Sequence, residues 1–115
     1  MGSKGRGRRG WSQPSASSMM KQVQELQAQM LKAQEELAHE TVEASAGGGV
    51  VTVVMNGQQQ VLAVTIDPQA VDPAEVDMLQ DLVMAAVNEA LRRSREMAEQ
   101  KMAPLTGALN VAGLL

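Results

Sequence analysis

The apolar positions after residue 18 recur with the period of an α-helix. Six of them are spaced by 4, 3, 4, 3 and 4 residues, namely Met19, Val23, Leu26, Met30, Ala33 and Leu37. This spacing forms one stripe on a helix, and the Gln, Lys and Glu residues between these positions are good helix formers. We predict a helix over roughly 18–39 that is capped by Ser17 or Ser18. The stripe is too short for an autonomous coiled coil, so we expect part of it on a sheet and part on a partner chain.

Three segments compatible with β-strands follow, at residues 40–46, 50–55 and 61–66. The run Gly47-Gly48-Gly49 between the first two predicts a turn that needs positive φ. Asn56-Gly57, between the last two, is a strong hairpin signal. The sequence therefore predicts a three-stranded antiparallel meander. Its middle strand is apolar on both faces, so a helix should cover one face and a second helix or a second chain the other.

A second helix is predicted to open at Asp72-Pro73. Asp72 suits the N-cap, Pro73 suits the first turn, and Glu75 has the spacing of a capping box. One face of this helix is then marked by Val76, Leu79, Val83, Ala86, Val87, Ala90 and Leu91. We expect the helix to end near residue 102, stopped by Pro104, and the apolar residues 105–115 to pack across a neighbouring surface. The fold class is therefore α+β: a helix, a three-stranded antiparallel sheet and a helix.

The composition allows one small domain with a thin core. The chain has 115 residues, nine of them Met, with no Phe or Tyr and with Trp11 as the only aromatic residue. Aromatic side chains bury the most area, so a domain of this size without them is marginal alone and favours an oligomer. The absence of Cys excludes disulfides and suits a reducing cytoplasm. No apolar run approaches the ~20 residues that span a bilayer, so no membrane partner is expected.

The net charge of −3 hides an asymmetry along the chain. Residues 1–18 carry four cations and no acid, whereas residues 19–115 carry six Lys or Arg against thirteen Asp or Glu, a charge of −7. Residues 1–18 are also rich in Gly, Ser and Arg without an apolar period, which predicts a disordered basic N-terminal arm. We call residues 1–18 the basic segment. Residues 19–115 are predicted to form the folded domain, and residues 1–3 are either native or a vector remnant.

No residues have the spacing of a catalytic or metal site. His39 is the only histidine, and among scattered glutamates it is more typical of a solvated residue at a helix end than of a metal ligand. The run Gly47–Gly49 lacks the Lys-Ser/Thr of a phosphate-binding loop. We therefore expect a protein that is not an enzyme, with no cofactor, no metal and no small-molecule substrate.

The cations of the basic segment are the strongest functional signal, and they are Lys4, Arg6, Arg8 and Arg9. On a flexible backbone they can follow phosphates and release counterions. Arg6-Gly7-Arg8 is similar to the arginine hooks that enter narrow, A·T-rich minor grooves, and Trp11 can stack on a base. The alternative is a solubilising or vector-derived tail.

Six further cations lie in the folded part. Lys21 and Lys32 are eleven residues apart, about three helical turns, and so share one face of the first helix. The other four lie late in the second helix: Arg92, Arg93, Arg95 and Lys101. The three arginines either contact phosphate or form local pairs with Glu89, Glu96 and Glu99, and both interpretations stay open.

Several ordered motifs resemble the YbaB/EbfC family of nucleoid-associated proteins. They are GGGV at 47–50, VVMNG at 53–57, IDP at 66–68, VDP at 71–73, MLQDLV at 78–83, AVNEA at 86–90 and LTGAL at 105–109. The resemblance covers about residues 19–115. It implies a cytoplasmic, nucleoid-located homodimer shaped like tweezers, with the sheet and second helix at the dimer core and projecting helical arms that contact DNA. On this chain those arms would carry Lys21, Lys32 and the cations of the second helix.

This chain departs from that pattern in its acidic folded part and its basic segment. A charge of −7 repels phosphate over a Debye length of about 8–10 Å. We therefore expect a homodimer that binds duplex DNA with little sequence preference, the basic segment supplying much of the affinity. One alternative is a protein-interaction adaptor whose Met-rich apolar surface binds another protein without DNA. Another is an organelle-targeted relative in which residues 1–18 are a transit peptide.

Overall fold

The computed structural model describes residues 15–111 and residue 113. Two long helices flank a three-stranded sheet, and two short 3₁₀ turns precede the second helix: α1 (Ala16–His39), β1 (Thr41–Ala46), β2 (Val51–Asn56), β3 (Val61–Ile66), the turns Pro68–Ala70 and Pro73–Glu75, and α2 (Val76–Val111). The α+β class and the order helix, three strands, helix are confirmed.

Helix α1 begins slightly earlier than the sequence predicts. Ser15 is its N-cap, because the Ser15 hydroxyl accepts a hydrogen bond from the Ser18 backbone N–H at 3.1 Å. The expected caps, Ser17 and Ser18, therefore lie inside the helix. Residues 16–18 were expected to belong to a disordered arm, but the cap at Ser15 extends the helix through them.

The sheet is the predicted antiparallel meander in the order β1-β2-β3. Its register places Ala44 opposite Val53, and Val53 opposite Val64. The β1–β2 turn has positive φ at Gly47, Gly48 and Gly49, as predicted, with values of 66°, 75° and 99°.

The β2–β3 hairpin forms where Asn56-Gly57 predicted it, but Gly57 serves a different purpose. The residue with positive φ is Gln59, at 65°. Gly57 instead lies against the end of α1, and its backbone N–H donates to the carbonyl oxygens of Leu37 and Glu40 at 2.8 and 3.0 Å. A Cβ at position 57 would lie 2.5 Å from Leu37 Cδ2 and 2.9 Å from the Leu37 oxygen. Glycine is required here by close approach, not by its φ.

The core lies between α2 and one face of β1 and β2. Val51, Val53 and Met55 on β2 are buried against Ala86 and Ala90 of α2. The two alanines allow the helix backbone close to the sheet, which fits a core without aromatic residues. The prediction that a helix covers one face of the middle strand is confirmed.

The other helix does not cover the opposite face of the sheet, because α1 packs against α2 and the end of β2. Ala33 and Leu37, at the C-terminal end of the apolar stripe, are buried there, whereas Met19 at the other end is 53% exposed. The expectation that part of the stripe covers the sheet is therefore wrong.

Helix α2 does not stop at Pro104. It continues to Val111 with Pro104 inside it, so residues 105–111 are helical and not an irregular tail. Proline removes one helical hydrogen bond and kinks or breaks a helix unless packing compensates. Here Leu105 and Leu109, one turn apart, are half-buried, while Pro104 itself is exposed. Asp72 caps the 3₁₀ turn that leads into α2, accepting from the Ala74 N–H at 2.9 Å, so it acts as an N-cap one turn before the helix.

Candidate nucleic-acid interface

Two cations of α2 are already bound by carboxylates. The Arg92 guanidinium donates to Glu89 at 2.5 and 3.0 Å and to Glu96 at 2.5 Å. Arg93 donates to Glu89 at 3.1 Å and to the Glu43 carbonyl oxygen of β1 at 2.6 Å. Hydrogen bonds from Arg92 and Arg93 lower the pKa of Glu89 to about 2, and the same contacts raise the pKa of Arg92. These cations form the local pairs that the sequence left open.

Lys101 joins the two helices. Its ammonium donates to Glu36 at 2.6 Å and to Glu40 at 2.8 Å, and its side chain is only 19% exposed. The hydrogen bond from Lys101 lowers the pKa of Glu36, and the two carboxylates raise the pKa of Lys101. Lys101 therefore holds α2 antiparallel to α1.

Three cations have no carboxylate within 4.0 Å among residues 15–111: Lys21, Lys32 and Arg95. All three are exposed. At about 100° per residue, Lys21 and Lys32 share a face of α1 roughly 120–140° away from buried Ala33 and Leu37. The Arg95–Glu99 pair suggested by the sequence is absent from this part of the chain. These three side chains are open to phosphate, whereas Arg92, Arg93 and Lys101 would first have to exchange a glutamate.

The four cations expected to bind DNA most strongly, Lys4, Arg6, Arg8 and Arg9, lie outside the described residues, as does Trp11. The described part begins at Ser15, the cap of α1. The basic segment therefore joins the chain at the N-terminal end of α1, about nine Å along the helix from Lys21.

The described residues contain no group of three or more His, Asp or Glu that could hold a metal ion. His39 is exposed at the last position of α1, as expected for a solvated residue at a helix end. Neither α1 nor α2 is apolar enough over sufficient length to cross a membrane.

One buried asparagine fixes the direction in which α1 leaves the sheet. The Asn56 side chain donates to the Ala38 carbonyl oxygen at 3.1 Å and to Gln60 Oε1 at 2.9 Å. Its Oδ1 accepts from the N–H groups of Gln58 and Gln60 at 2.9 and 3.0 Å, so both donors and the acceptor are used. The Ser94 hydroxyl of α2 donates to the Asn56 carbonyl oxygen at 2.7 Å.

We call Asn56, Gly57 and Ser94 the joint. It connects the end of α1, the β2–β3 hairpin and the middle of α2, and so determines where Lys21 and Lys32 lie relative to the sheet. This role is missed from the sequence because Asn56-Gly57 has a sufficient explanation as a turn. A signal was present in Ser94, a polar residue one turn after Ala90 on the apolar face of α2.

Comparisons with known proteins agree with this architecture. A model of the YbaB/EbfC DNA-binding family matches residues 13–109. A "Nucleoid-associated protein" of Syntrophobacter fumaroxidans is 59% identical over 95 residues, covering 83% of this chain and 86% of its own length. One from Pelotomaculum thermopropionicum is 53% identical over 98 residues, covering 85% and 93%.

The fold also matches a solved structure. The crystal structure of an uncharacterised protein from Helicobacter pylori superposes with a TM-score of 0.71 at 17% identity, covering 80% of this chain and 97% of that chain. At this identity the similarity supports the fold alone.

Proposed function

Since the chain belongs to the YbaB/EbfC DNA-binding family, we propose that it is a nucleoid-associated protein that binds duplex DNA as a homodimer with little sequence preference, the basic segment supplying much of the affinity. The family match carries the assignment to DNA. The charge distribution supports the role of the basic segment, because the remaining chain has a charge of −7. A cytoplasmic, nucleoid location follows from the same assignment.

The exposed apolar surface beside β3 supports a homodimer. β3 is an edge strand, and Val61 and Val64 are each 47% exposed on the side of the sheet that bears α2. The Arg93 contact with Glu43 directs the opposite side of α2 towards β3, and Val76 and Met84 are exposed there. We call Val61, Val64, Val76 and Met84 the β3–α2 strip. An unpaired apolar edge strand is a template for a second chain.

A second copy fits this strip best because one symmetric contact would cover both edge strands at once. In such a dimer the two sheets would lie at the centre, and each α1–α2 pair would project as one arm of the tweezers. The uncovered face of β2 and the thin core point in the same direction, since a partner would add buried area to both.

The homodimer is tested by placing a charge on either face of β3. We expect the intact protein to have twice the 12.2 kDa mass of the chain in light scattering. Val64→Asp buries a carboxylate at the proposed interface and should give a monomer. Thr65→Asp adds the same charge to the opposite face and should leave the dimer intact. A dimer for both variants would exclude the β3–α2 strip as the interface.

The DNA proposal assigns phosphate contacts first to Lys4, Arg6, Arg8 and Arg9. Lys21, Lys32 and Arg95 then add contacts from the arms, being exposed and without a carboxylate partner among the described residues. Contacts from Arg92, Arg93 and Lys101 remain part of the prediction, at the cost of their present ion pairs. Low sequence preference follows because phosphate contacts carry no base information.

The role of the basic segment is tested by deleting residues 1–14, which removes four cations but keeps the Ser15 cap of α1. Each phosphate contact contributes about 0.9 to the slope of log affinity against log salt, so losing eight contacts per dimer should lower that slope by up to about 7. Lys21→Gln/Lys32→Gln is the matched control and should lower it by at most about 4. An unchanged slope and affinity after the deletion would exclude the basic segment as the main contact.

Sequence preference is tested by competition. Unlabelled duplexes of equal length and unrelated sequence should displace a labelled duplex at concentrations within about threefold of each other, because nonspecific binding depends on phosphate. Differences of about a thousandfold, as for site-specific proteins, would contradict low preference.

A further inference from the structure

An apolar groove lies at the outer end of the α1–α2 pair. Met19, Val23 and Leu26 of α1 form its floor, and Ala108 of α2 closes its inner end. These residues continue the stripe that is buried lower down at Ala33 and Leu37. The groove is open because α1 reaches beyond the last described residues of α2.

We infer that the chain's own residues 112–115 fill this groove, with Leu114 and Leu115 against Val23 and Leu26. The end of α2 supports this occupant. Gly113 has φ of 75°, and its N–H donates to the Asn110 carbonyl oxygen at 3.1 Å. This is the hydrogen bond of a helix end with a left-handed glycine, a motif in which the next residue commonly makes an apolar contact with the last helical turn.

The reach of the last residues matches the length of the groove. Residues 109–111 carry the helix about 4.5 Å beyond Ala108, and four further residues span at most about 14 Å. The groove extends along α1 from Gln29 to Met19, ten residues or about 15 Å. Residues 112–115 can therefore lie along it in the direction in which α2 already runs.

The chemistry also matches. Residues 112–115 read Ala-Gly-Leu-Leu and carry no charged side chain, and the floor of the groove is apolar. Covering Met19, Val23 and Leu26 would complete the helix pair along most of α1. Filling the groove does not depend on DNA binding, since Lys21 and Lys32 lie on another face of the helix.

A disulfide test is direct because the chain has no native cysteine. Val23→Cys/Leu115→Cys should form an intramolecular disulfide about tenfold faster than the control Lys21→Cys/Leu115→Cys. In the control, the thiol on α1 lies at nearly the same level of the helix but on the other face. Equal rates for the two variants would overturn the inference. A disulfide between two chains would also overturn it, in favour of a second copy as the occupant.

Hydrogen exchange gives a second measurement on the uncrosslinked protein. In Leu114→Ser/Leu115→Ser, the α1 amides of residues 20–27 should exchange about tenfold faster, while those of β2 stay unchanged. Unchanged exchange over residues 20–27 would show that residues 112–115 do not cover the groove.

Discussion

Replacing Gly57 by Ala tests whether the joint depends on close approach. The backbone N–H of Gly57 donates to the carbonyl oxygens of Leu37 and Glu40, at 2.8 and 3.0 Å. An added Cβ would lie 2.9 Å from the Leu37 oxygen and closer still to the Leu37 side chain. The side chain can rotate away, but the carbonyl oxygen belongs to the last turn of α1. The end of α1 must therefore move away from the hairpin.

The free energy of unfolding should fall by about 2 kcal/mol. Overpacking of this kind costs about 1–3 kcal/mol, and weakening one backbone hydrogen bond costs about 1 kcal/mol more. In the opposite direction, Ala restricts the unfolded chain and contributes about 0.4–1 kcal/mol of stability. For a domain of this size the net loss corresponds to a fall in Tm of about 10 °C.

Urea denaturation followed by circular dichroism at one fixed protein concentration measures this change, since the stability of a dimer depends on concentration. Gly107→Ala is the matched control, because it makes the same substitution inside α2, where no atom lies within 4 Å of the added Cβ. It should stabilise the protein by about 0.5–1 kcal/mol. Equal stabilisation by both substitutions would refute the close-approach reasoning.

Three further substitutions test other contacts. Ser94→Ala removes the donor to the Asn56 carbonyl oxygen and should cost about 1 kcal/mol in urea denaturation; no loss would show that the joint does not need this bond. Glu89→Gln should reduce the loss of stability as pH falls from 4.5 to about 2, because a lowered carboxyl pKa stabilises the fold above its unfolded value and this is lost through the folded value. Lys101→Met should lower Tm at low salt but much less in 1 M NaCl; an equal loss in both would mean that packing, not charge, holds the helices together.

The periodic parts of the fold are predictable from the sequence. The apolar stripe predicts α1, the alternation and the glycine run predict the first two strands, and Asn56-Gly57 predicts the hairpin. Each of these depends on local spacing or on one local backbone preference. Asn56-Gly57 also shows a limit, since the reason for Gly57 lies in Leu37, twenty residues away.

The ends of the helices and the pairing of charges are less predictable. Pro104 predicts a stop, but the packing of Leu105 and Leu109 carries α2 to Val111. Local spacing correctly suggests pairs of Arg92 and Arg93 with glutamates. It does not reveal Lys101 between Glu36 and Glu40, because those partners come from α1, more than sixty positions earlier.

Binding of the full chain to a labelled duplex at 50 and 200 mM salt tests the central claim most directly. Eight phosphate contacts by the two basic segments of a dimer predict tight binding at 50 mM and a loss of about 10⁴-fold in affinity at 200 mM. Absence of binding at 50 mM would contradict a DNA-binding function and favour a protein partner on the apolar surfaces. Binding that is unaffected by salt would contradict phosphate contact as its basis.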